Sequence, residues 1–237
     1  MRYAVISDIH ANPDALKAVL AEIDRLSADK IVCLGDIVGG GAYPEETVQM
    51  IRRRGDIDCV KGNHDIFSTI DLSSFRTDDT RLRLFRWQQR VMSGSSKSFL
   101  SSLPTSRKYF DCGLTVDCRH YPMNEKGRFR ELVYLPTEEQ IRALFRGMKG
   151  DVFLFGHEHT GSQTVIGNRY FLNFGTVGNF LYPDTAMFGV VDIENGRVGY
   201  RSVKVSYDDS RVRKRTEEIR AVLYRDAPDR GRERDLR

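Results

Sequence analysis

Tyr3-Ala4-Val5-Ile6-Ser7-Asp8-Ile9-His10-Ala11-Asn12-Pro13 carries a strand, a polar turn and a helix start within eleven consecutive residues. The apolar run Tyr3–Ile6 is too short for a helix and rich in strand formers. Asn12 has the side chain of an N-cap, and Pro13 fits the first helical position, where no backbone N–H is needed. Leu16, Val19, Leu20 and Ile23 then recur at spacings of three and four, the stripe of an amphipathic helix. The unit repeats. Ile31–Leu34 reads as a second strand, Pro44 opens a helix running to about Arg54, and Ile57–Val60 reads as a third strand. Strand, helix, strand, helix, strand predicts a parallel sheet with right-handed crossovers.

The rhythm breaks over about 66–104. Thr80–Met92 is predicted helical and carries Leu82, Leu84, Phe85, Trp87 and Val91; a short helix around Phe99, Leu100 and Leu103 is closed by Pro104. This helical insertion is placed to cap a site. From Arg107 the pattern turns to strands: Lys108–Asp111 and Leu114–Cys118 flank the turn Cys112-Gly113. A helix over Thr137–Met148 and an apolar strand Val152–Phe155 follow. Further strands are expected at about 162–166, 169–173, 187–193 and 197–205, and a last helix at about 208–224. One domain is expected over 1–224. The tail 225–237 alternates Arg with Asp and Glu and is expected to be flexible.

Composition bounds the function classes. The chain has 237 residues, 40% of them hydrophobic and 30% charged, an ordinary balance for a globular protein. No stretch approaches 18 apolar residues, so no membrane span is expected, and without a signal-peptide pattern the expected compartment is the cytoplasm. The formal net charge of +4 is too modest to argue for a nucleic-acid partner. Arg52-Arg53-Arg54 suits the negative end of a helix dipole. The four cysteines form no CxxC pair, which argues against a structural zinc site.

All five histidines lie in polar blocks that follow predicted strands: Asp8-Ile9-His10, Gly62-Asn63-His64-Asp65, His120 and Gly156-His157-Glu158-His159, with Gly35-Asp36 a further block of the same kind. In open α/β sheets such blocks converge beyond the carboxyl ends of the strands. Neutral imidazole is the commonest metal ligand, and Asp and Asn supply oxygens. Asp8 with His10, and His157 with His159, are two apart, so extended backbone would point each pair one way. Asp36, Asn63 and His120 bring the set to seven, which suits two ions sharing a carboxylate. Glu158 points away in an extended segment and stays outside the set.

Together the blocks Asp8-x-His10, Gly35-Asp36-x-x-Gly39, Gly62-Asn63-His64-Asp65, His120 and Gly156-His157-x-His159 resemble the calcineurin-like metallophosphoesterase superfamily. The resemblance implies an α/β (α+β) fold, a four-layer α/β/β/α sandwich of two facing mixed sheets flanked by helices. It implies that Asp8, His10, Asp36 and His159 hold one divalent transition metal and Asp36, Asn63, His120 and His157 the other, with Asp36 bridging. His64 would contact phosphate and protonate the leaving oxygen, Asp65 would orient His64, and a metal-bridging hydroxide would attack phosphorus. Mn²⁺ or Fe²⁺ is expected, and Zn²⁺ or Ni²⁺ also suits such ligands. The expected substrate is a small phosphate ester, nucleotides among them, cleaved as a diester or a monoester. Protein phosphatases of the superfamily usually carry Asp-Arg-Gly and Asn-His-Glu; this chain has Gly35-Asp36-Ile37-Val38-Gly39 and Asn63-His64-Asp65. Both differences favour the small bacterial phosphoesterase branch. The rival readings are a non-catalytic metal-binding scaffold of the same fold, and a nuclease.

Overall fold

The computed structural model describes residues 1–73, 75, 80–178 and 182–225. In chain order the elements are β1 (Arg2–Ile6), α1 (Pro13–Leu26), β2 (Lys30–Cys33), α2 (Pro44–Arg54), β3 (Ile57–Cys59), α3 (Asn63–Phe67), α4 (Thr80–Val91), α5 (Gly94–Ser102), β4 (Ser106–Asp111) and β5 (Leu114–Arg119). Then come α6 (Glu138–Leu144), β6 (Val152–Leu154), β7 (Ser162–Ile166), β8 (Arg169–Asn173), β9 (Thr185–Glu194), β10 (Arg197–Ser206) and α7 (Ser210–Leu223).

The strands form two five-stranded mixed sheets, ordered β10-β9-β1-β2-β3 and β4-β5-β6-β8-β7. In the first, β1, β2 and β3 are parallel and β9 runs antiparallel to β1. In the second, β5, β6 and β8 are parallel and the outer strands β4 and β7 are antiparallel. The expected fold class is observed.

Side-chain alternation dictates the layers. Along β1, Tyr3 and Val5 point into a core shared with Val116, Cys118, Val152, Leu154 and Leu172 of the second sheet. Ala4 and Ile6 point the other way, onto Leu16, Val19 and Ile23 of α1 and Val48 and Ile51 of α2. β6 repeats the device: Val152 and Leu154 face the first sheet, while Phe153 meets Ile141, Leu144 and Phe145 around α6. A strand apolar on both faces is buried on both faces, which gives the sandwich. Outside it, Leu84 of α4 packs with Ile219 of α7 and Ala42, with Trp87 against them.

Local signals set several boundaries. Asn12 Oδ1 accepts from the Ala15 amide at 3.1 Å, and its Nδ2 donates to the Tyr207 hydroxyl at 2.9 Å, so this side chain is a helix cap. α6 is shorter than expected, because the chain turns after Leu144 and reaches Gly147 at φ +79°. The polar stretch 123–131 is an ordered hairpin: Met123 bridges Phe129, and Asn124 Oδ1 accepts from the amides of Lys126 and Arg128. Cys112 and Cys118 are free thiols. The expected tail lies, from residue 226, outside the described residues. Among the described residues no helix is long and apolar enough to cross a membrane.

Phe153 is fully buried, stacks on Phe171 at 5.0 Å between centroids and meets Phe145 edge-on at 5.1 Å. Phe153→Ala is expected to lower unfolding stability by about 3–5 kcal/mol. Urea denaturation checks this, with an unchanged m-value showing that the fold itself is retained.

Candidate metal centre

Each polar block sits at the carboxyl end of a parallel strand. Asp8 follows β1, Asp36 follows β2, Asn63 follows β3, His120 follows β5 and His157 follows β6. Backbone hydrogen bonds weld these ends together. Asp8 N–H donates to Gly35 O at 3.0 Å, His10 N–H to Asp36 O at 3.0 Å, and Gly156 N–H to His120 O at 2.8 Å.

The extended geometry assumed for the Asp8/His10 and His157/His159 pairs is not observed. Asp8, His10 and Ala11 have φ of 55°, 52° and 54°, and His157 has φ of 73°. The loops coil through the left-handed region, which non-glycine residues occupy at a cost of order 1–3 kcal/mol where surrounding contacts hold them there. Asp8 and His10 nonetheless face one pocket, because the coil replaces the pleat. Gly156 is required by close approach: a methyl there would collide with Ser7 Oγ and come 2.7 Å from Asp8 Oδ2.

The two central carboxylates are built alike. Asp8 Oδ2 accepts from Ser7 Oγ at 2.6 Å and from the His157 amide at 3.0 Å, while Oδ1 is buried without a hydrogen-bond partner. Asp36 Oδ1 accepts from the His64 amide at 2.8 Å, while Oδ2 is likewise buried and unpartnered. In each, one oxygen is fixed by the protein and the other is aimed into the site. His159 Nε2 lies 3.2 Å from Asp8 Oδ1, and His10 Nε2 lies 3.0 Å from His159 Nε2. His120 Nε2 lies 3.4 Å from Asp36 Oδ2, 2.9 Å from Asn63 Oδ1 and 3.1 Å from His157 Nδ1. Ligand atoms about 2.1 Å from one ion stand roughly 3.0–3.4 Å apart at tetrahedral or octahedral angles.

Proton assignment sharpens the case. His120 Nδ1 faces the Leu34 carbonyl at 3.0 Å, so Nδ1 carries the hydrogen and Nε2 presents a lone pair. That lone pair confronts Asn63 Oδ1, an acceptor, and lies beside Asp36 Oδ2. Burial, the largest influence, pushes His120 down to about 4 and His157 down to about 3, and holds His10 well below the usual imidazole value. The imidazoles therefore stay neutral near pH 7. Burial, with Asp8 and Asp65 nearby, pushes Asp36 well above the ordinary carboxylate range. Clustered neutral imidazoles and acceptor oxygens, with buried lone pairs unmet, fit divalent cations.

All seven expected ligands converge, in two groups. Asp8, His10 and His159 form one; Asp36, His120 and His157 form the other, with Asn63 against His120. His64 also comes within ligand range, grouped with His10 and Asp36, its Nε2 3.9 Å from Asp36 Oδ2. Its ring is 29% exposed, against 1% for Asp36. Asp65 is fully buried and accepts from the Gly62 amide at 2.9 Å and the Val38 amide at 3.2 Å, which fixes the turn that carries His64. Burial pushes it up to about 6 against those hydrogen bonds.

Three supporting residues were not foreseen. Glu158 is buried and accepts from the Thr160 hydroxyl and from the Thr160 and Gly161 amides, pinning the loop of His157 and His159. Its Asx-like position, two residues before Thr160, was the available signal. Asn173 Nδ2 donates to Glu158 O at 2.7 Å, and Thr176 Oγ1 donates to Asp8 O at 2.7 Å. The first follows from β8 lying beside β6 and the second from the segment after β8 running along the loop after β1, where Val177 N–H donates to Ser7 O and Gly178 N–H to Asp8 O; sequence pattern reveals neither.

The model of the calcineurin-like phosphoesterase superfamily domain matches residues 1–196. The crystal structure of a metallophosphoesterase from Sphaerobacter thermophilus is similar, with 26% identity and a TM-score of 0.69, over 92% of this chain and 94% of that one. A hypothetical protein from Pyrococcus horikoshii shares the fold at 19% identity, with a TM-score of 0.77 over 94% of this chain and 97% of its own. An uncharacterized protein of Methanocaldococcus jannaschii is 45% identical over 105 residues, which are 43% of this chain and 41% of that relative.

Asp36 groups with His120 and His157 and also comes within ligand range of His10; if it bridges the two ions, as the resemblance implies, Asp36→Asn is expected to lower metal content at both positions, whereas His10→Ala lowers it mainly at one. Elemental analysis after Mn²⁺ loading and desalting separates the two patterns.

Proposed function

Because the chain belongs to the calcineurin-like phosphoesterase superfamily, we propose that it is a metal-dependent hydrolase of small phosphate esters. The observation that carries this reading is the pair of buried carboxylate oxygens, Asp8 Oδ1 and Asp36 Oδ2, aimed into a cluster of imidazoles of which burial holds His10, His120 and His157 neutral. In this reading Asp8, His10, Asp36 and His159 hold one ion, and Asp36, Asn63, His120 and His157 the other. When bound, two divalent ions supply Lewis-acid activation of water and neutralise charge in an in-line displacement at phosphorus. Mn²⁺ or Fe²⁺ is the proposed pair, with Zn²⁺ and Ni²⁺ compatible with the donors.

The remaining work falls to the chain's own groups. His64 lies at the edge of the ligand cluster with a partly exposed ring. There it can reach a substrate oxygen and donate a proton to the departing alcohol. Asp65 holds the backbone turn that carries it. The substrate is proposed to be a small phosphate ester, nucleotides included, rather than nucleic acid, in keeping with the modest net charge. Four free thiols, Cys33, Cys59, Cys112 and Cys118, support a reducing cytoplasmic setting. A scaffold would tolerate an eroded site; convergence of the whole ligand set favours the enzyme.

The test is hydrolysis of bis-p-nitrophenyl phosphate and p-nitrophenyl phosphate with added Mn²⁺, abolished by a chelator. His64→Ala is expected to lower kcat by about 10²–10⁴-fold while both metals stay bound. The loss should be smaller for p-nitrophenyl esters than for phenyl esters, because p-nitrophenolate leaves with little protonation. Loss of metal together with activity would make His64 a ligand instead.

A further inference from the structure

Beyond the metal ligands, one buried polar side chain grips the loop that shapes the site. Gln88, on α4 of the helical insertion, is fully buried. Its Oε1 accepts from the Gly39 amide at 3.1 Å, and its Nε2 donates to the Gly41 carbonyl at 3.0 Å. Ser68 Oγ, at the end of α3, adds a contact to the same Oε1 at 3.5 Å. A single amide thus clamps both ends of Gly39-Gly40-Gly41, the segment that leaves Asp36.

That segment has no side chains of its own to fix it. Gly39 and Gly40 have φ of +88° and +67°, a conformation that glycine adopts without strain but also leaves readily. Gly39 lies against the His64 ring so closely that a methyl on it would overlap Nδ1. Gly41 N–H donates to His10 O at 3.0 Å. The clamped loop therefore forms one wall of the His64 slot and is tied to a ligand-bearing turn.

The same helix supplies another wall. Phe85 lies three residues before Gln88, on the same helix face. Its ring centroid is 5.1 Å from that of His64, and the His10 ring lies 4.9 Å from His64. Phe67 stacks on Phe85 at 5.4 Å, so the ring is itself held in place. His64 is enclosed by the Gly39 backbone, His10 and Phe85.

We infer that Gln88 is a positioning residue for His64, acting through the Gly39–Gly41 loop, and that α4 of the insertion sets the proton donor with one face, Gln88 and Phe85. Gln88 touches neither substrate nor metal. Removing its amide frees the loop, widens the slot and lets the His64 ring turn away from the leaving oxygen. This rests on the reading of His64 as the proton donor.

The test is a double-mutant cycle on the metal-loaded protein, with Gln88→Met, His64→Ala and the double variant, assayed on phenyl phosphate and p-nitrophenyl phosphate. Gln88→Met is expected to lower kcat about 10–100-fold with both metals retained. The loss should be larger for phenyl phosphate, and the double variant no slower than His64→Ala alone. If Gln88→Met does not fold, Gln88→Glu, which keeps the acceptor for the Gly39 amide and replaces the donor to Gly41, takes its place in the same cycle. Losses that multiply in the double variant, or that are equal for the two esters, overturn the inference while leaving His64 as the donor. If His64→Ala itself causes no loss, the donor reading fails, and the inference fails with it.

Discussion

Two buried carboxylates, Asp8 and Asp36, each give one oxygen to protein donors and hold the other toward a common pocket. This arrangement is the constraint around which the rest of the structure is organised. A buried carboxylate with an oxygen that lacks a donor is costly to keep charged, and burial beside Asp8 and Asp65 accordingly raises Asp36 well above the ordinary carboxylate range. Here two such carboxylates are placed close together, beside His10, His120 and His157, which burial keeps neutral. Such a cluster weakens the metal-free chain. In the proposed reading it becomes favourable when cations fill the gap between the lone pairs, since metal binding and folding would then share one free energy.

The sandwich makes the cluster achievable. Strands apolar on both faces, such as β1 and β6, fix two sheets and two helical layers with little freedom of register. Parallel strands in each sheet deliver their carboxyl ends to one edge, and hydrogen bonds such as Asp8 N–H to Gly35 O and Gly156 N–H to His120 O lock neighbouring ends. The left-handed turns at Asp8, His10, Asp36 and His157 are then imposed from several sides at once. Glu158, Asn173 and Thr176 act in the same way, holding ligand-bearing backbone rather than ligands.

What could be read from the sequence follows the range of the forces involved. Asn12, Pro13 and the apolar stripe of α1 are local signals, and they placed that helix correctly. The blocks that carry the candidate ligands were legible because each places specific residue types directly after a strand. The extended pairing of Asp8 with His10 was the wrong geometry with the right outcome, since the turn is set by contacts with the neighbouring strand's loop. α3 escaped notice because five residues carry no apolar period; its signal was Asp65 at the third helical position, returning to the Gly62 amide. The end of α6 and the fold of 123–131 depend on a glycine in the left-handed region and on one asparagine side chain. Gln88 looked like an ordinary helix residue. Only the packing of α4 over the Gly39–Gly41 loop shows what it holds.

The central claim is that the lone pairs of this pocket are reconciled by two cations. Calorimetric titration of Mn²⁺ into metal-free protein, with thermal unfolding followed in parallel, tests it most directly. The account predicts binding of two equivalents per chain and a midpoint of unfolding that rises with Mn²⁺ concentration, as expected for a ligand bound only by the native state. Saturation at one equivalent, or binding with no change in unfolding midpoint, would contradict it.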